Sequence, residues 1–180
     1  KNKDRVNWEI VNSPEYKKKF SSITNNEQTN NTLYKKAIDI LKEKSGTEYE
    51  TLHLIDLDTG KVVATSAHTK VPQTVSPNKE VLKAVRKAKP RTLVGIHNHP
   101  NSLPPSGSDF STAKNREYYV GVVACHNGDV WVYKARKPVT SYIFDMQVAN
   151  YKNDGYTDLE AYEKAMRKIG KDYGLEWRKL

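Results

Sequence analysis

The sequence predicts a mixed α/β fold, a central sheet flanked by helices. Apolar residues recur at helical spacing toward both ends of the chain and at strand spacing through its middle, and turn signals separate the two kinds of segment. Its 180 residues suit one domain of ordinary size with extra segments at its ends. With 37% hydrophobic and 28% charged residues, the core is compact rather than extensive. Three parts are expected: an N-terminal arm over 1–30, a central domain over 31–138, and a C-terminal extension over 139–180 that carries a terminal helix.

Residues 1–30 are rich in Asn, Lys and Ser, with Val6, Trp8, Ile10, Val11, Tyr16, Phe20 and Ile23 as the only anchors, so this arm reads as weakly structured. A helix is expected over Asn31 to Lys44, where Leu33, Ala37, Ile40 and Leu41 share a face and Gly46 follows as a C-cap. From Tyr49 the pattern turns to strand. Leu52 to Leu57, the turn Asp58-Thr59-Gly60 and Val62 to Thr65 make a hairpin. Ser76 as N-cap and Pro77 in the first helical position announce a second helix, which ends before Pro90. Thr92 to His97 is a short apolar strand. Tyr119 to Cys125 and Val130 to Tyr133 form another hairpin across Asn127-Gly128. Thr157-Asp158-Leu159-Glu160 reads as a capping box that opens a helix to Tyr173, with Leu159, Tyr162, Met166 and Ile169 on its buried face.

Composition excludes some classes of function. No apolar run approaches the roughly 20 residues of a membrane span and no secretory signal is visible, so an intracellular, cytoplasmic protein is expected. Cys125 is the single cysteine, which rules out intrachain disulfides and a cysteine-rich zinc cluster. Lys1 stands where a methionine would begin a whole protein, so the chain reads as a fragment of a longer one. The net charge of +9 is concentrated in Lys17 to Lys19, Lys83 to Arg91 and Arg167 to Lys179. It is compatible with nucleic acid, with an acidic protein or with a solvated surface. No interleaving of aromatic and basic residues points to single-stranded bases.

The stretch His97 to Phe110 carries the chemistry. A catalytic zinc takes three protein ligands and keeps a fourth position open. His97 and His99 lie two apart, and on an extended strand end such residues share a face. Pro100 stops the strand, Pro104-Pro105 forces a turn, and Ser106 to Asp109 fits the first turn of a short helix that returns a carboxylate to the histidines. Two His and one Asp suit Zn2+. Three adjacent letters His97-Asn98-His99 do not make an HNH nuclease, whose motif is spread over a longer ββα segment. Cys125 reads as a buried structural thiol, His126 as its neighbour at a strand end, His53 as a sheet-face residue and His68 as a loop residue.

His97-Asn98-His99-Pro100 followed by Pro105-Ser106-Gly107-Ser108-Asp109 resembles the signature of JAMM (MPN+) metallopeptidases, a family that includes deubiquitinating isopeptidases and RadC-type proteins. The resemblance covers roughly Leu33 to Pro138 and departs from the family in one respect. Nine residues separate His99 from Asp109, one fewer than is usual, which alters the substrate-facing loop. It implies a JAMM-like, cytidine-deaminase-like fold with His97, His99 and Asp109 as zinc ligands. Ser106 would support the oxyanion, and an upstream Glu would move the proton. Glu50, eight residues before Asp58, is the favoured Glu and Glu48 the rival. The flanks, from Trp8 to Tyr16 and from Ser45 to Glu50, resemble the C-terminal region of phage minor head proteins of Firmicutes prophages. The implied function is zinc-dependent cleavage of peptide or isopeptide bonds, with capsid or scaffold proteins as partners in a cytoplasmic or virion-associated setting. A RadC-like protein acting near DNA and a non-catalytic zinc-binding structural domain are the alternatives.

Overall fold

The computed structural model describes residues 4–67 and 71–180, and His68 lies outside them. A six-stranded mixed sheet runs through the middle in the order β2-β1-β3-β4-β5-β6. Its strands are β1 Leu52–Asp56, β2 Val62–Ser66, β3 Leu93–His99, β4 Val120–Cys125, β5 Val130–Ala135 and β6 Leu175–Lys179. Only β3 and β4 are parallel, joined by a crossover through helix α5, Gly107–Asn115, while every other neighbouring pair is antiparallel. This central pair is covered on both faces, and every residue of β3 and β4 is buried.

The faces pack different layers. Val94 and Ile96 of β3 point to the N-terminal layer, built by α1 Trp8–Val11, α2 Pro14–Lys19 and α3 Glu27–Lys44. Leu93 of β3, with Val123 and Cys125 of β4, points to the other layer, which holds α4 Lys79–Lys87, α5, α6 Ser141–Asn153 and α7 Asp158–Tyr173. Among the described residues no helix is long and apolar enough to cross a membrane.

The structure departs from the sequence reading at both ends. The arm over 1–30 is helical from Trp8 rather than weakly structured, and Val11, Tyr16 and Phe20 are buried against α3 and the sheet. Each short helix is capped, by Asn7 and by Ser13, and α3 begins earlier than expected because Asn26 accepts from Gln28 and Thr29. The extension over 139–180 holds α6 and β6 in addition to the terminal helix. Gly174 sits in the left-handed conformation at φ 59° and turns the chain from α7 into β6, which pairs with β5. The second helix starts two residues late, because Asn78 and not Ser76 caps it through the Val81 N–H at 2.8 Å.

Candidate metal centre

The alternation of a strand places His97 and His99 on the face of α5, and turns Asn98 to the opposite face. After Pro100 the chain folds back, and Ser106 caps α5. Its Oγ accepts the Asp109 N–H at 3.1 Å, and its own N–H donates to Asp109 Oδ2 at 2.9 Å. This capping box fixes Asp109 in the first helical turn with its carboxylate aimed at the strand.

The three predicted ligands meet there. Nε2 of His97 and Nε2 of His99 lie 3.1 Å apart, and they stand 3.2 and 3.1 Å from the two oxygens of Asp109. One donor atom from each of the three side chains lies within 4.8 Å of the others, close enough together for a single ion. The group is buried and could hold a metal ion. His99 Nδ1 donates to the Leu103 carbonyl at 2.7 Å, so in the neutral ring it is Nε2 that carries the lone pair, toward the ligand site. The loop between Pro100 and Ser106 thus supplies the carbonyl that sets the neutral tautomer.

Without metal the group is an ion cluster. Burial acts to lower the pKa of His99, but the charge and hydrogen bond of Asp109, helped by Glu50 and the Leu103 carbonyl, push it up to about 9. Burial opposes ionisation of Asp109, yet the two imidazoles hold its carboxyl well below the usual carboxylate range. His99 is therefore protonated at neutral pH and must lose that proton to ligate. Binding of a divalent metal ion at about pH 7.5 is expected to release about one proton per ion from His99, fading as pH rises through 9. Calorimetry in buffers of different ionisation enthalpy reads this directly, and no release at pH 7.5 would show that His99 is already neutral there.

Glu50 is buried at 6% exposure and lines one cavity of about 200 Å³ with His97, His99, Ser106 and Asp109. Burial raises its pKa, offset in part by His99 and His97. Glu48, the rival, is exposed. The antiparallel register pairs Leu52 with His97, so continuing it two residues brings Glu50 opposite His99. Cys125 stays out of the ligand set: its thiol faces the Leu103 carbonyl at 3.5 Å and burial pushes its pKa well up. His53 bonds Thr65 at 2.7 Å on the hairpin, away from the cavity.

Two residues that sequence reasoning passed over belong here. Asn98 Oδ1 accepts the Thr51 N–H at 2.9 Å, and its Nδ2 donates to the Tyr49 carbonyl at 3.1 Å, so one side chain clasps the backbone on both sides of Glu50. Arg116 lines the cavity beyond the ligands. The only sequence signal for Asn98 was its place between two ligands on a strand, which sends it to the other face. Compared with known proteins, the chain matches no family model, no curated protein and no solved structure.

Proposed function

We propose that this chain is a zinc-dependent hydrolase of peptide or isopeptide bonds, built on the JAMM (MPN+) plan. The observation that supports it most is the composition of one cavity, which holds the closely grouped His97, His99 and Asp109 together with a buried Glu50 outside that group. A zinc held by these three side chains would supply Lewis acidity to the cavity. Glu50, buried beside them with a raised pKa, would serve as the group that takes up a proton and gives it to the leaving amine. The Ser106 hydroxyl spends its lone pair on the Asp109 N–H and keeps its hydrogen to donate toward a carbonyl oxygen gaining charge. The resemblance of the flanks to phage minor head proteins suggests capsid or scaffold proteins as substrates.

The test is zinc content and peptide hydrolysis of the parent against Glu50→Gln. Retained zinc with lost hydrolysis supports the reading, and a zinc-loaded parent that cleaves no peptide sinks it in favour of a structural zinc domain. Ser106→Ala is expected to lower kcat by about 10²–10³-fold if its hydroxyl serves the oxyanion, and to cost about 1 kcal/mol of helix stability. Steady-state kinetics and thermal melting separate the two, and an unchanged kcat leaves Ser106 a helix cap alone.

A further inference from the structure

The cavity has a second charged wall. Arg116 is the C-cap residue of α5, seven positions after Asp109 on the same helix. Seven residues at 1.5 Å per residue span about 10 Å along the axis. Arg116 and the ligands line the same cavity, and an axial span of about 10 Å is no more than about three residues of extended peptide.

Its placement is fixed and its charge is uncompensated. Nη1 donates to the Tyr118 hydroxyl at 2.9 Å. The Tyr118 phenol packs against Gly95 of β3, with ring atoms 2.6 and 2.8 Å from where a Cβ would stand, so the phenol that holds Arg116 is itself held two residues before His97. Tyr118 is neutral, since burial raises its pKa further than Arg116 lowers it. Among the described residues no carboxylate forms an ion pair with Arg116, whereas the neighbouring Lys114 pairs with Glu117 at 2.9 Å and Arg136 with Glu176 at 3.1 Å. A cation at a helix C-terminus is favoured by the helix dipole, but the dipole does not require the side chain to line a cavity. A guanidinium offers five donors in a planar fork, and the phenol uses one.

Resting on the metal centre proposed above, we infer that Arg116 receives a carboxylate of the substrate, placed within about three residues of the carbonyl attacked. The chemistry admits two sources, a terminal α-carboxylate and an acidic side chain. A cavity of this kind disfavours substrates that are neutral near the scissile bond.

Three zinc-chelating peptide hydroxamates, identical except in the residue beside the chelating group, decide the matter by calorimetry on the zinc-loaded protein. One carries glutamine with a free α-carboxylate, one glutamate capped as the α-amide, one glutamine capped as the α-amide. A charge-assisted, bidentate contact predicts that one carboxylate probe binds about 10–100-fold more tightly than the neutral one, and which of the two does so names the source. Arg116→Met, which keeps the aliphatic stem, is expected to abolish that preference and leave the neutral probe's affinity unchanged. Equal affinity of all three probes for the parent overturns the carboxylate site while leaving the metal centre standing. Failure of every probe to bind sinks the metal centre, and this inference with it.

Discussion

Glu50→Gln is expected to keep its zinc and to lose about 10²–10⁴-fold in hydrolysis, the range in which general acid–base groups contribute. The amide matches the carboxylate in size and fills the same buried position beside His97, His99 and Asp109, so the ligand group is undisturbed. What it cannot do is accept a proton. The folded state should not suffer, because burial already disfavours the charged form of Glu50 and a neutral amide escapes that cost. Thermal melting should therefore stay level or rise while kcat collapses. Glu48→Gln is the control: an exposed residue outside the cavity, whose change should leave both readings alone. A Glu50→Gln protein that cleaves at the parental rate would remove Glu50 from proton transfer.

The separation of Glu50 from Glu48 shows where the sequence stopped being legible. The group that could hold a metal was readable because its geometry is local: two histidines on one strand face, then a proline turn and a capping box, all within 14 residues. The Glu is set by strand pairing across 47 residues, from the Thr51 backbone to Asn98, which local spacing does not encode. The same distinction runs through the fold. The middle strands announced themselves as apolar runs covered on both faces. β6 did not, since LEWRK is short, charged and at the sheet edge, and it is specified by its pairing to β5 and by the left-handed turn at Gly174. Helix α6 buries only Phe144 and Val148, too sparse a stripe to stand out. The arm's anchors Val11, Tyr16 and Phe20 fall on three separate short turns, so no single periodicity links them although all are buried.

Asn98→Leu tests whether that long-range clasp matters, and it is expected to give the largest loss of stability. Leucine has the same branched arrangement of four side-chain heavy atoms as asparagine and is the bulkier of the two, so none of the effect comes from a void at this buried position. Three groups lose their partner instead: the Thr51 N–H, the Tyr49 carbonyl and Nε2 of His126, which lies 2.9 Å from Asn98 Nδ2. His126 is buried and its pKa is lowered by that burial, so it is neutral. Its Nδ1–H is committed to the Asp4 carbonyl, and Nε2 must therefore accept. The Thr51 N–H and His126 Nε2 are buried, whereas Tyr49 is exposed, so at about 1 kcal/mol or more for each buried group left unpaired the cost is about 2–3 kcal/mol. For a chain of this size that corresponds to a fall in Tm of about 4–12 °C. Zinc affinity should hold, because His97 and His99 leave β3 on the other face, where the Leu103 carbonyl and the capping box orient the ligands without Asn98. Hydrolysis should fall beyond what the stability loss explains, since the segment carrying Glu50 is no longer tied on both sides. Normal melting would mean that the clasp contributes nothing to the fold; lost zinc would mean that the two faces of β3 are coupled more tightly than these contacts require.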